Sequence, residues 1–281
     1  MKDWLIHALG ISGNKGAVHL QIEQVKEWQP DDGILWAHFD ATRDETLTYL
    51  KRDSGIPGVA AEALVARETR PRCNMIGNAL LVVLRGVNLD PGADPEDMVS
   101  IRVWVEEKRI ISAQQRQLLS VNDAFESLQQ KPPDGTPDIL LRILGRLVER
   151  INSVIDTLED PAAELEDIIM EATEPEQRTQ LSRLRREAIM LRRYLAPQRE
   201  ALGRMLTEFP AWFGELDRLR LREIYDRQVR LVEDLDSVRE RLGVIHEELV
   251  SRLSDQLNKR MYVLSIVAAL FLPLSFLTGL L

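Results

Sequence analysis

The sequence predicts an α/β domain at the N-terminus, followed by a long helical stalk that runs into a membrane helix. Residues 1–130 contain short apolar runs separated by glycine, proline, asparagine and aspartate, as strands and their loops do. From residue 211 onward, apolar side chains keep a heptad spacing with no strong helix breaker before Pro273. Residues 261–281 carry no charge, and a helix over them would be about 31 Å long, close to the thickness of a bilayer core.

These patterns divide the chain into four parts. They are an α/β sheet domain over 1–130, an antiparallel helical pair with an acidic tip over 131–209, a stalk helix over 210–260 and a transmembrane helix over 261–281. No internal repeat and no low-complexity segment interrupts this order.

The sheet domain is predicted to contain five strands and three helices. The strands are Ala17–Ile22, Gly33–Asp40, Asn78–Val87, Met98–Glu107 and Arg109–Ser112. The helices are Thr42–Lys51, Gly58–Arg67 and Gln114–Gln130. The almost continuous apolar run Asn78–Val87 indicates a buried central strand. Apolar and polar residues alternate in Met98–Glu107, which predicts a strand buried on one face only.

The helical pair follows a proline-rich linker, Gln130–Asp138. Thr136 and Pro137 predict the helix start, with threonine as N-cap and proline in the first position. Pro197 predicts a kink in the second helix. The acidic tip, Thr157–Glu176, is expected to be a solvated face, with weak accumulation of cations as the alternative. Two apolar stripes predict the buried faces of the pair: Ile139, Leu140, Ile143, Leu144, Leu147, Ile151, Val154, Ile155 and Leu158 in the first helix, and Leu181, Leu184, Ala188, Leu191, Leu195 and Leu202 in the second.

The stalk and the membrane segment are predicted to form one helix. A helix from Ala211 to Leu281 would be on the order of 105 Å long. No small domain covers that length, so partner helices, copies of the same helix or lipid must surround it.

Composition restricts the partners and the compartment. The net charge of −9 argues against nucleic acid as a partner, because phosphate binding needs a basic face. The single cysteine, Cys73, cannot form an internal disulfide and indicates a reducing compartment. No cleavable signal pattern opens the chain. Lys259 and Arg260 stand directly before the apolar segment and mark its cytoplasmic side.

The sequence contains no catalytic or nucleotide-binding motif, so we predict no enzyme and no bound cofactor. The four histidines have no metal-ligand spacing with each other or with Cys73. No phosphate-binding glycine loop and no GxSxG sequence are present. His246 with Glu247 and Glu248 is a partial exception, since a symmetric oligomer would repeat these residues as a ring that attracts a cation.

One face of the last helix is the strongest candidate for function. From Ser254 on, its small and polar residues alternate in spacing between four and three, which places them on one side of the helix: Glu247, Ser254, Asn258, Met261, Ser265, Ala268, Leu272, Ser275 and Gly279. This face predicts either close packing between membrane helices or the wall of a pore. Pro273 favours the pore, because it leaves the carbonyl of Ala269 without its usual donor.

At these residues the sequence resembles the CorA-type divalent metal transporters, and most of all their ZntB zinc-transporter branch. The segments that carry the resemblance are Leu80–Asn88, Asp94–Trp104, Met190–Leu202 and Gln256–Leu281. The resemblance implies an α/β fold in which an α/β/α cytoplasmic funnel precedes a long stalk helix and the first transmembrane helix. It also implies a homopentamer in the cell inner (plasma) membrane, with the N-terminal domain in the cytoplasm.

The resemblance further implies which residues line the pore. They are Asn258, Met261, Leu264 or Ser265, Leu272 and Ser275, with Glu247 and Ser254 lower in the cytoplasmic part. The family's Gly-x-Asn motif, which forms the outer filter, and its second membrane helix are expected beyond Leu281, so the chain is interpreted as truncated before them.

Two hypotheses of different classes follow. The first is transport of a divalent cation, with Zn²⁺ as the expected cargo and Mg²⁺ or Co²⁺ as alternatives, because oxygen ligands suit all three. The second is a membrane-anchored coiled-coil scaffold or sensor, in which the last helix only tethers the protein.

Overall fold

The computed structural model describes residues 4–12, 16–171 and 175–280. The strands are β1 (Leu5–Ile11), β2 (Ala17–His19), β3 (Ile34–Asp40), β4 (Arg72–Ile76), β5 (Ala79–Gly86), β6 (Val99–Val105) and β7 (Arg109–Gln114). The α-helices are α1 (Ile22–Glu27), α2 (Asp44–Arg52), α3 (Gly58–Val65), α4 (Leu119–Gln130), α5 (Thr136–Glu171), α6 (Pro175–Thr207) and α7 (Glu215–Leu280). A short 3₁₀ helix covers Pro30–Asp32.

The seven strands form one mixed sheet in the order β2-β1-β3-β7-β6-β5-β4. Strands β3 and β7 pair in parallel, and the other neighbouring pairs are antiparallel. Apolar side chains of β5 point to both faces, and every strand residue except the half-buried Arg85 is buried. The prediction of a buried strand here is confirmed, but β5 lies next to the edge strand β4 and not at the centre of the sheet.

Helices cover both faces of the sheet. On one face, residues of α4, α5, α6 and α7 join the sheet in a single large hydrophobic cluster. On the other face, α2 and α3 pack over a second cluster that includes Trp104 and Phe39. The expected α/β/α arrangement is therefore confirmed.

Strand β6 differs from its prediction, because all seven of its residues are buried. The polar positions Ser100, Arg102 and Trp104 face the side that α3 covers, and Arg102 Nη2 donates to the carbonyl of Ala66 just beyond α3, at 2.6 Å. The alternation therefore separates two faces of the strand that are both buried, and neither of them is exposed to solvent.

Three other local predictions need correction. The predicted strand Ala17–Ile22 ends at His19, and Ile22 begins α1. Strands β1 and β4 are not predicted by the sequence pattern. Thr136 does not act as an N-cap, since its hydroxyl donates to the carbonyls of Glu106 and Glu107 at 2.8 and 3.1 Å. It ties the start of α5 to the turn between β6 and β7.

Helices α5, α6 and α7 form a bundle that extends from the sheet. Both predicted apolar stripes of α5 and α6 are buried in it. Three ion pairs join the first half of α7 to its neighbours: Arg220 with Asp138 of α5, Asp236 with Arg192 of α6, and Arg241 with Glu166 of α5. With 66 residues, α7 is about 99 Å long.

Residues 261–280 of the predicted membrane segment form the last part of α7, and Leu281 lies outside the described residues. The side chains of residues 273, 274 and 276–281 lie outside the described residues. Within the part of the chain that the structure describes, we find no helix with an apolar stretch long enough to cross a membrane.

Candidate functional site: the outer face of helix α7

Helix α7 packs against the bundle through one continuous seam. The seam residues alternate in spacing between three and four and are all buried: Leu221, Ile224, Gln228, Leu231, Leu235, Val238, Leu242, Ile245 and Leu249. Glu247 lies two residues from both Ile245 and Leu249, so it is turned about 200° away from each. Glu247 therefore lies on the side of α7 opposite the bundle, and the other predicted residues continue its register beyond the end of the seam at Leu249.

This opposite side, called the outer face below, keeps the same alternating spacing from the start of α7 as far as Ser275. All of its residues are exposed in the single chain: Leu216, Leu219, Glu223, Asp226, Arg230, Glu233, Ser237, Glu240, Val244, Glu247, Ser251, Ser254, Asn258, Met261, Ser265, Ala268, Leu272 and Ser275. Of the predicted site residues, only Leu264 lies one position to the side, and it is 62% exposed.

The chemistry of the outer face changes in three steps along the helix. Between residues 223 and 247 it carries five carboxylates and one arginine. Uncharged oxygen donors follow at Ser251, Ser254 and Asn258. From Met261 to Leu272 the face is apolar or small, apart from Ser265. A cation that moved along this face would meet negative charge first, then neutral oxygens, then a narrow set of apolar side chains.

Two serines on the apolar part bond to their own helix. The hydroxyls of Ser265 and Ser275 donate to the carbonyls of Met261 and Phe271, each at 2.8 Å. A hydroxyl that donates in this way still presents oxygen lone pairs outward. Both residues can therefore act as acceptors toward a cation or its water shell.

The other proposed cation positions are not assembled in the single chain. Among residues 4–12, 16–171 and 175–280 no group of three or more His, Cys, Asp or Glu could hold a metal ion. Glu248 accepts a hydrogen bond from Arg252 at 2.6 Å, whereas the ring expected at His246, Glu247 and Glu248 would form only between copies of the chain. In the acidic tip, Glu166 is paired with Arg241, while residues 172–174 are outside the described ranges.

The part of the outer face before Glu247 was missed in the sequence analysis. Asp226, Glu233, Glu240 and Glu247 follow one another at seven-residue intervals. Extending the alternating spacing backwards from Ser254 would have found them, but the acidic residues of a solvated helix give no other signal.

Comparison with known proteins identifies the family. The sequence profile described as CorA-like Mg2+ transporter protein matches residues 31–281. The chain belongs to this family of transporters. The family resemblance and the expected divalent-cation transporter class are thus confirmed.

Two relatives and one solved structure show how close the similarity is. The divalent cation transporter CmaX of Pseudomonas aeruginosa is 36% identical over 283 residues, which cover 99% of this chain and 85% of that protein. The zinc transport protein ZntB of Yersinia pseudotuberculosis is 34% identical over 277 residues, covering 98% and 83%. The solved structure of the full-length CmaX protein superposes with a TM-score of 0.90 at 35% identity and covers 99% of this chain and 86% of that one.

Proposed function

We propose that this protein carries Zn²⁺ across the cell inner membrane as a homopentamer, and that the outer face of α7 lines the path of the ion. The observation that carries the proposal is the exposed register from Leu216 to Ser275, which lies opposite the buried seam between Leu221 and Leu249 and continues beyond the end of that seam. A polar outward face is ordinary for a helix that packs on a bundle, but here the same register continues into the uncharged segment from Met261 on, where lipid or copies of the helix must cover the apolar surface. Zinc as cargo is supported by the name of the ZntB relative.

In a symmetric assembly each outer-face residue is repeated as a ring around the axis. Rings of Asp226, Glu233, Glu240 and Glu247 attract cations into the cytoplasmic part of the path. Asn258 offers carbonyl oxygens at the membrane boundary, and Met261 and Leu272 narrow the path with apolar side chains.

The orientation follows from the charges beside the apolar segment. Residues 261–281 are proposed as the first transmembrane helix, with Lys259 and Arg260 on the cytoplasmic side. The sheet domain and the bundle then lie in the cytoplasm, where the single Cys73 stays reduced.

A second ion has its own support. The description of the family profile names Mg²⁺. The hydrophilic part of the outer face also offers carboxylate, hydroxyl and amide oxygens, which are the ligands that Mg²⁺ prefers. Uptake of Zn²⁺, Mg²⁺ and Co²⁺ by the complete gene product in liposomes distinguishes the candidates. Zinc flux that exceeds magnesium flux at equal gradients supports Zn²⁺ as cargo, and the reverse result overturns it.

The path itself is tested by a matched pair of variants. Glu233→Gln removes a carboxylate from the outer face, whereas Asp234→Asn removes one from the adjacent exposed position, about 100° around the helix. We expect slower flux for Glu233→Gln, most clearly at low ionic strength, and wild-type flux for Asp234→Asn. Equal flux in both variants would contradict the assignment. A monomer or dimer in detergent, measured by light scattering, would contradict the pentamer.

A further inference from the structure

A second feature, remote from the outer face of α7, is an arginine-rich cleft in the sheet domain. It lies between the segment that joins α3 to β4 and helix α6, and it has a volume of about 790 Å³. Its lining contains four arginines and one carboxylate: Glu68, Thr69, Arg70, Arg72, Arg85, Arg193, Tyr194 and Pro197. Such a concentration of positive charge is unexpected on a chain with a net charge of −9.

Arg85 is held at the cleft by neutral groups. Its Nη1 donates to the carbonyl of Met98 at 2.6 Å, and its Nη2 donates to the carbonyl of Thr69 at 2.8 Å. The guanidinium carbon lies 4.4 Å from the ring centre of Tyr194. Its Nε is buried and has no hydrogen-bond partner among the described residues.

Arg102 lies next to Arg85 on the same face of the sheet. Arg85 pairs with Ser100 on β6, so Arg102 is two residues further along that strand. Arg102 is 0% exposed, and only its Nη2 has a partner, the carbonyl of Ala66. Its Nε and Nη1 are buried without a partner in the described part of the chain. Burial, together with the neighbouring charge of Arg85, lowers the pKa of Arg102 to about 10.

A buried guanidinium group next to a half-buried one is unfavourable without a negative partner. Within the described residues neither Arg85 nor Arg102 forms an ion pair. The hydroxyl of Thr69, also buried, adds another unpaired donor beside them. Arg193 Nη2 donates to the Tyr194 hydroxyl at 2.6 Å, and Glu68 is the one carboxylate in the lining, so the cleft keeps an excess of positive charge over its four arginines.

We propose that this cleft binds a phosphate-type oxyanion, supplied as inorganic phosphate, a small phosphorylated metabolite or a phospholipid headgroup. Several arginines around one ligand suit phosphate, because guanidinium groups bind its oxygens in pairs and its negative charge offsets the excess positive charge of the lining. The bound anion bridges the α3–β4 segment and α6, the helix that packs along α7.

The test uses the whole chain in detergent, with inorganic phosphate as the first probe and chloride at matched ionic strength as the reference. We expect phosphate to bind in calorimetry and to raise the melting temperature above the chloride value. Arg72→Gln and Arg193→Gln, both at exposed cleft positions, should each weaken binding by about tenfold or more. Arg52→Gln removes the same charge at an exposed position at the end of α2 and should bind as the wild type does.

Two further arms identify the source of the phosphate. Glycerol phosphate tests a soluble metabolite, and vesicles with phosphatidic acid, compared with phosphatidylcholine alone, test a lipid headgroup. The site is supported if any of the phosphate probes binds to the wild type and this binding is lost in Arg72→Gln and Arg193→Gln. Binding of no probe above chloride, or equal binding by the cleft variants and Arg52→Gln, overturns it. The test changes only exposed residues of the cleft. It does not require a substitution such as Arg102→Met at a buried position, which could prevent folding.

Discussion

The two-sided character of α7 makes a quantitative prediction at Leu235 and Ser237. Leu235 is 0% exposed in the seam, whereas Ser237 lies on the exposed outer face two residues later. Leu235→Ala removes buried apolar surface and leaves a cavity between α7 and the rest of the bundle. Such changes cost about 2–5 kcal/mol of unfolding free energy, and the complete burial of Leu235 supports a value of about 3 kcal/mol. Ser237→Ala should stay within about 0.5 kcal/mol of the wild type.

The assay is thermal unfolding of the full chain in detergent, followed by circular dichroism. For a protein of this size, about 3 kcal/mol corresponds to a decrease in melting temperature of about 6–12 °C. Ser237→Ala should leave the transition where it is. If both variants unfold at the same temperature, or if Ser237→Ala is the less stable, the assignment of the two faces of α7 is wrong.

Three further changes test the sheet domain and its junction with the bundle. His38 is completely buried, and burial lowers its pKa to about 3, so the folded state keeps it neutral while the unfolded chain takes up a proton below pH 6.5. The free energy of unfolding should therefore fall as pH decreases from about 6.5 towards 3, and His38 contributes at most about 1.4 kcal/mol per pH unit to this fall. In denaturant titrations at several pH values, His38→Gln should reduce the dependence of stability on pH. An unchanged dependence would exclude His38 as its cause. A Cβ at Gly86 would lie 2.5 Å from Leu118 and 2.7 Å from Leu147, so Gly86→Ala should lower the free energy of unfolding by about 1–3 kcal/mol. Gly145 has open space around it, so Gly145→Ala should be neutral or stabilising in the same melting experiment. The buried Asp138 accepts hydrogen bonds from Arg142 at 2.7 Å and from Arg220 at 3.3 Å, so Asp138→Asn should destabilise the chain by about 1–3 kcal/mol in the same melting experiment; a variant as stable as the wild type would show that these bonds do not stabilise the junction.

The helical half of the chain could be predicted well because its pattern is regular. Heptad spacing in α5, α6 and α7 identified the buried residues directly, and the structure buries every residue of the two stripes in α5 and α6. The same regularity marked the side of α7 that faces away from the bundle. Periodicity is informative here because one face of each helix meets a core and the other does not.

The sheet was harder to predict because its two faces are both covered. In β6 the alternation of apolar and polar residues predicts one solvent-exposed face, yet Arg102 and Trp104 are buried on the side that α3 covers. A long polar side chain can be buried when its end finds a carbonyl, and the sequence does not show where that carbonyl lies. Strand β1 was missed because His7 and Gly10 interrupt its apolar pattern.

The arginine-rich cleft could not be predicted from the sequence. Arg72, Arg85 and Arg193 lie on β4, β5 and α6, and no spacing along the chain connects them. The pairing of β4 with β5 and the packing of α6 against these strands bring their charges together.

The central claim is that the outer faces of several α7 helices meet around a common axis, and cysteine cross-linking tests it most directly. Cys73 is buried and burial raises its pKa to about 12, so the native thiol should not react. A cysteine introduced by Asn258→Cys lies on the outer face, whereas one introduced by Gln256→Cys, two residues earlier, continues the line of the seam. Mild oxidation in membranes should join copies of the chain through Asn258→Cys and leave Gln256→Cys monomeric on a denaturing gel. Equal cross-linking at both positions, or cross-linking at Gln256→Cys alone, would contradict the account.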